Sequence, residues 1–577
     1  MKEGLMRACH SLFFSGRFAG IAAVTVAFWS AFSSAEARAQ AAAPVGNVAI
    51  QEQLGQGLSA ELRAELDSYI RGAVLAFDVP GAAVAVLQDG KVAYRSAFGV
   101  RGGRRAAPVD TRTLFMVGSI TKSMTSTMIA TLVDDKLVAW DAPVKKLLPT
   151  FALAQPEYES GVTLRHLLSH QSGLSRSDVS LFLGPERPLE LIDELSTTPM
   201  FSPPGQLYQY QNQAYSLAGF AAARATGARN TNGDLYRDYE RLMQDRVFEP
   251  VGMRGTTLDF DRATRSDNHA LPNEFSALSG KLDSVQIGFE RFATSVAPAG
   301  AVWSNIEDMG RYATLHMNRG RNLWGRRVVS EAALEETHTP MVAADGGSYG
   351  LGWSIADSPF GRVVAHSGGT AGFGSDLVML PERGWGIVVL TNRASSFAFV
   401  AAVERYALDV LLGRERTPDD DLLARELELR AGFAALLSVT APVEATDVSG
   451  VLGSYGRNVT FFRRGPDLIL RNEFGEMVLR KVVGFPGAFL VVGNTLAGAV
   501  ALFSSDESGN VSVTLGLPTT DGGDLQLEQP VTLSKVQRPS HPRPPPRWTR
   551  DPRDEWRSAV RYLRECGVKP PAPRAFR

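Results

Sequence analysis

A chain of 577 residues with 44% hydrophobic and 21% charged side chains and a formal charge of −1 is nearly four times the length of a typical domain of about 150 residues. Its apolar content is ample for packed cores, which excludes a lone binding module, a globally disordered chain and a polytopic membrane protein. Charge is unevenly spread: residues 538–577 hold 11 Lys/Arg against four Asp/Glu, leaving the rest of the chain net −8, without the basic surplus that nucleic-acid binding needs.

Lys2, Arg7 and Arg17 precede an apolar run over residues 18–32, and the small-residue sites Ala35-Glu36-Ala37 and Ala37-Arg38-Ala39 follow it. This is the pattern of a cleavable export signal over residues 1–39, since about 15 apolar residues fall short of the roughly 20 that span a membrane. The remainder is therefore expected in the periplasm or outside the cell. Cys9 leaves with that segment, so Cys566 stands alone and no disulfide within the chain is expected.

Leu62, Leu66, Ile70, Val74 and Leu75 recur at helical spacing and predict an amphipathic helix over residues 59–79. Residues 82–87 and 91–100 read as a hairpin turning at Asp89-Gly90, a dipeptide that accepts positive φ. Residues 363–366, 376–380 and 386–391 read as three further strands, with some 260 mainly helical residues between the two strand groups. The expected fold class is thus α/β (α+β): one antiparallel sheet assembled from both ends of residues 40–413, flanked by helices, with an inserted helical subdomain and a cleft between them. Residues 401–412 predict a closing helix. Residues 414–447 hold a charged, proline-containing linker and a connector helix over 422–437. Short strands at 459–462, 468–470, 489–492 and 511–513 predict a separate small β domain over 448–537, barrel-like in texture. The tail, 538–577, is basic and proline-rich, with a short helix expected near 555–565.

Three features carry chemistry. Gly118-Ser119-Ile120-Thr121-Lys122 follows an apolar run and opens a helix with Ile120, Met124, Met128, Ile129 and Leu132 on its apolar positions. Ser119 then lies at a helix N-terminus with Lys122 one turn on, on the same face. A desolvated lysine loses its proton more easily and can act as the base for the hydroxyl. The structural alternative is an N-cap serine followed by a surface lysine. Second, Tyr210 and Asn212, two apart on a loop after Pro203-Pro204-Gly205, can project together into a cleft. A phenol beside an ammonium can ionise below its usual value of about 10 and share the proton work; aromatic packing is the alternative. Third, His366-Ser367-Gly368-Gly369 ends a strand. The Gly369 N–H, with that of Ser119, could form an oxyanion hole, leaving His366 to face the leaving group or a substrate carboxylate; a structural or surface histidine near glycines is the alternative.

In order and spacing these features resemble the serine β-lactamase-like family, which includes class C β-lactamases, D-alanyl-D-alanine carboxypeptidases and related esterases. Similar stretches recur at 162–174 (Val-Thr-Leu-Arg-His-Leu-Leu-Ser-His-Gln-Ser-Gly-Leu), 248–253, 298–304 and 349–353, so the resemblance covers roughly residues 54–413. It implies that Ser119 is acylated, that Lys122 and Tyr210 share the proton transfers, and that Asn212, His366, Gly368 and Gly369 hold substrate. Where penicillin-hydrolysing relatives usually carry Lys-Thr/Ser-Gly, this chain has His366-Ser367-Gly368, and a neutral imidazole holds a carboxylate less firmly than an ammonium does. Gln211 also stands where serine is common, a difference expected to shape the substrate site.

Two other patterns have the spacing of catalytic or metal motifs. Gly346-Gly347-Ser348-Tyr349-Gly350 fits G-x-S-x-G, but residues 341–345 make no convincing strand and 351–355 predict one, so Ser348 is read as a loop residue. His166 and His170 have metal-ligand spacing, yet no adjacent glutamate completes a motif, and both are read as structural. The expected activity is an exported serine hydrolase working through a covalent acyl-enzyme on an ester or amide of a small molecule or peptide, without cofactor or metal. The alternative is a cell-wall ligand-binding sensor that deacylates slowly or not at all. A further possibility gives the basic tail a contact with an anionic envelope surface.

Overall fold

The computed structural model describes residues 58–102, 107–184, 187–226, 234–344, 346–493, 496–521 and 524–536. The export signal, both cysteines, the basic tail and its expected helix lie outside the described residues. Strands β1 (Gly81–Gln88) and β2 (Lys91–Gly99) form the expected hairpin. They turn at Asp89 and Gly90 with φ of 52° and 68°, the left-handed values a primed turn demands. Strands β3 (Val342–Ala344), β4 (Gly347–Tyr349), β5 (Ser354–Ser358), β6 (Gly361–Gly369), β7 (Gly374–Leu380) and β8 (Trp385–Thr391) join from the other end of the domain. Their spatial order is β2-β1-β8-β7-β6-β5-β4-β3, antiparallel throughout. Ala82 of β1 pairs with Thr391 of β8, which closes the sheet between the two ends of the domain.

Residues 341–355 depart from the sequence reading. Residues 342–344 and 347–349 are strands, and the strand expected at 351–355 starts only at Ser354. The delay comes from a turn closed by the Gly350 N–H on the Trp353 carbonyl at 2.8 Å, with Gly352 at φ 83°. Ser348 therefore lies within a strand. It is neither in a loop nor on the strand-to-helix elbow that a G-x-S-x-G nucleophile requires.

The longer helices are α1 (Ala60–Ala76), α2 (Ile120–Asp134), α3 (Asn212–Ala225), α4 (Ile306–Met317), α5 (Phe397–Leu412) and α6 (Asp420–Ser438). The period of two in β1 sorts its side chains between two layers. Ala82, Val84 and Val86 pack with Leu66, Ile70 and Val74 of α1 and Phe399 and Val403 of α5. Ala83, Ala85 and Leu87 point to the other face and join Ile120, Met124 and Met128 of α2 with Met309 and Ala313 of α4. Each fully buried Val, Leu or Ile contributes about 1.5–3 kcal/mol. Leu75, assigned to the apolar face of α1 from spacing, is 79% exposed. Helix α2 is buried from Ile120 to Leu132, as expected of a helix lodged between layers rather than on the surface. No helix among the described residues is long and apolar enough to cross a membrane.

The connector helix α6 is anchored by a buried ion pair, Arg393–Glu426 at 2.7 Å, with Arg393 also donating to the Phe77 carbonyl at 2.6 Å. After it, nine strands among the described residues, from Thr440–Ala441 to Asp524–Ser534, make a second antiparallel sheet. The sheet therefore takes in residues upstream of 448. Its ends meet, because Tyr455 bridges Lys535 and the Gly456 N–H donates to the Ser534 carbonyl at 3.1 Å. The strands thus wrap into a barrel filled by Phe461, Leu468, Met477, Leu479, Phe489, Phe503 and Leu515.

Beneath α2, His316 Nδ1 and His338 Nε2 lie 3.0 Å apart. Burial holds both imidazoles below their ordinary value, His338 down to about 3. The folded state thus binds fewer protons than the unfolded chain, so their contribution is complete above about pH 6.5 and is lost as pH falls toward 3. Melting temperature is expected to drop over that window by an amount worth a few kcal/mol. In His338→Asn, thermal melts from pH 7 to 4 should show a shallower acid limb.

Candidate active site

Gly118 turns the chain from β strand into α2 at φ 49°. A Cβ there would come within 2.7 Å of the Gly369 nitrogen, and one on Gly368 within 2.1 Å of the Val117 carbonyl oxygen. The end of β6 can lie against the Ser119 turn only because both positions lack a side chain. Gly118→Ala combines that collision with an unfavourable φ. It is expected to lower activity at least tenfold while the protein still folds, as judged by turnover and circular dichroism on the same sample.

Ser119 precedes α2 in a right-handed conformation and makes no capping hydrogen bond with its side chain. Ser119 thus holds the N-cap position without capping through its side chain, and the hydroxyl serves other partners. Lys122 Nζ lies 3.0 Å from Ser119 Oγ, and Tyr210 donates its phenolic hydrogen to the same oxygen at 2.9 Å. Lys122 is no surface residue: it is fully buried and also donates to Asn212 Oδ1 at 2.6 Å and to the Ala299 carbonyl at 2.9 Å. A neutral amine has two N–H groups for these two acceptors and one lone pair for the serine proton. Burial favours that state, pulling Lys122 well below its ordinary value; the negative charge of Asp178 opposes the shift and Arg176 reinforces it.

Tyr210 corrects the sequence reading. Burial raises its pKa, and this outweighs the lowering effects of the Ser119 hydrogen bond and the Arg176 charge. The phenol thus stays protonated and donates, and Lys122 is the group fitted to accept a proton.

Asn212 and His366 are both held by hydrogen bonds to protein groups. Asn212 opens α3 and bridges Lys122 to Asp178, to which its Nδ2 donates at 2.8 Å. His366 is 3% exposed; its Nδ1 lies 2.6 Å from the Ser367 carbonyl and its Nε2 2.8 Å from the Tyr349 hydroxyl. With the carbonyl as acceptor, Nδ1 carries the hydrogen and Nε2 accepts from Tyr349. These two bonds fix the imidazole's orientation, with its ring centroid 6.5 Å from that of Tyr210.

His170 is a residue whose role spacing concealed. Its helix ends at Leu168 and His170 takes φ 59°, so it shares no helical face with His166. Its carbonyl accepts the Gln209 N–H at 2.8 Å, and its Nδ1 accepts the Gln211 N–H at 3.2 Å. These bonds bracket Tyr210, whose ring centroid lies 4.2 Å from that of His170. Burial first, then Lys122, His366 and Arg176, hold the imidazole well below its ordinary value, hence neutral. The stretch 162–174 flagged this region without saying what it does. Nothing in the sequence marked Asp178, Tyr349 or the Ala299 carbonyl as partners.

A family model described as Beta-lactamase matches residues 66–412, which include every residue of this constellation. The chain belongs to the β-lactamase family. Among curated relatives, it is 28% identical to unguisins hydrolase ungD' of Aspergillus campestris over 56% of this chain and 61% of that protein. It is 27% identical to penicillin-binding protein 4 of Amycolatopsis lactamdurans over 58% of this chain and 86% of that one. The chain thus spans less than two thirds of the fungal hydrolase. Among solved structures, the octameric penicillin-binding protein homologue from Pyrococcus abyssi superposes with a TM-score of 0.53 at 22% identity, over 82% of this chain and 99% of that one. That likeness concerns the fold. Segment 298–304, which delivers the Ala299 carbonyl to Lys122, lies within the matched residues.

Proposed function

We propose that this β-lactamase-family protein is an exported serine hydrolase that forms a covalent acyl-enzyme on Ser119 with an ester or amide substrate. The observation that carries the reading is the convergence of Lys122 Nζ at 3.0 Å and the Tyr210 hydroxyl at 2.9 Å on one serine oxygen. As Oγ bonds to the acyl carbon, its proton passes to Lys122 and the carbonyl π electrons move onto oxygen. The N–H groups of Ser119 and Gly369 receive that oxyanion. Collapse breaks the bond to the leaving group, which takes the Tyr210 proton; the lysine proton then returns to the phenol. Water repeats the sequence in reverse roles, giving the free acid and restoring Ser119.

With histidine where an ammonium would stand, position 366 gives a substrate carboxylate no fixed positive charge, which favours esters and uncharged amides over penicillins. The test is intact-mass labelling by a fluorophosphonate together with turnover of nitrocefin, p-nitrophenyl esters and D-alanyl dipeptides. Stoichiometric labelling is expected, with ester turnover at least tenfold above that of nitrocefin. A folded protein that takes no label contradicts the reading; label without turnover would favour the slowly deacylating sensor.

A further inference from the structure

Residues 176–184 serve two masters. On one side Asp178, 2% exposed, accepts from Asn212 Nδ2 at 2.8 Å and from Arg176 Nε at 2.6 Å. One bond further on, Asn212 holds Lys122. On the other side Val179, Phe182 and Leu183 are 0%, 5% and 0% exposed, and they lie in the same apolar core as Phe461, Leu468, Met477 and Leu515 of the barrel. Three more contacts clamp the segment. The Phe182 carbonyl accepts from Asn472 Nδ2 at 2.7 Å. The Phe182 ring stacks on Phe292 at 4.3 Å. A Cβ on Gly184 would come within 2.9 Å of the Arg457 carbonyl oxygen, which places barrel backbone directly against the chain. The segment itself is one helical turn, Asp178–Leu181, without a side-chain cap. Such a short turn has no stability of its own in water and takes its shape from what packs on it.

We propose that the C-terminal barrel is a working part of the active site: by gripping residues 179–183 it presents Asp178 to Asn212 and so makes Asp178 a positioning residue for Lys122. This rests on the reading of Lys122 as the base for Ser119. The charged and titratable groups facing Lys122 are Asp178 and Arg176 from this segment, His170 and Tyr210 from the loops before α3, and Tyr215 from α3. Asp178 supplies the negative charge among them, favouring the ammonium, and its loss would leave Arg176 to act on Lys122 unopposed.

The experiment follows the rate of Ser119 labelling by a fluorophosphonate from pH 5 to 10 in the full chain, with circular dichroism as the check of folding. In wild type the rate rises with pH as Lys122 loses its proton. Asp178→Asn is expected to move that limb about one unit toward acid, whereas Asp178→Glu, which keeps the charge, holds it in place. Asn472→Ala, which loosens the barrel's hold on Phe182, is expected to slow labelling at pH 7 roughly fivefold and to move the limb in the same direction. The proposal is overturned by a limb unmoved in Asp178→Asn, or by an Asn472→Ala protein equal to wild type in rate and limb. A wild type that takes no label would instead refute the acyl-enzyme reading itself.

Discussion

Ser119→Ala is expected to take up no fluorophosphonate and to lose at least about 10⁴ of the wild-type turnover, the scale on which serine nucleophiles fail when removed. No neighbour is expected to substitute, since the groups that meet Ser119 Oγ are a buried amine and a phenol. The protein should still fold. Lys122 keeps Asn212 and the Ala299 carbonyl, and the orphaned Tyr210 hydroxyl costs about 1–3 kcal/mol. Intact mass before and after labelling gives the answer directly. A labelled Ser119→Ala protein would put the nucleophile elsewhere.

Lys122→Met comes next in size. Methionine fills a similar volume in the buried site but accepts no proton, and acylation should fall by about 10²–10⁴. The shape of the pH profile matters as much as the amplitude. Burial lowers the Lys122 pKa, so the wild-type rate climbs as pH passes upward through that lowered value, while the methionine variant should show no such limb. A residual limb at the wild-type position would assign the base to another group. The substitution also strips the Asn212 Oδ1 and the Ala299 carbonyl of their donor, which is why asparagine at 212 cannot be read as a substrate ligand alone.

What the sequence disclosed was local. Ser119 and Lys122 sit one helical turn apart, so their meeting follows from α2 alone, and Asp89-Gly90 announces its own hairpin. Tyr210 was legible as a partner because Pro203-Pro204-Gly205 marked an irregular segment ahead of α3. What escaped depends on tertiary packing. Nothing near His366 in the chain announces Tyr349, which arrives from β4 to bond its ring. A neighbouring charge alone would ease the ionisation of Tyr210, whereas burial outweighs that charge and acts in the opposite sense. Asp178 lies on a single turn whose apolar residues pack into a sheet formed almost 300 residues later, and no periodicity within the turn reports that.

The pairing of Ala82 with Thr391 sets a timetable for assembly. During synthesis β1, buried on both faces in the finished protein, waits beside β2 with one edge open until β8 has emerged. Such high contact order slows folding, and an apolar strand with an unmatched edge is what chaperones shield and what aggregates when they are saturated. Chains that stop short of residue 385 would keep that edge bare for good, so premature termination should yield insoluble product rather than a weakened enzyme.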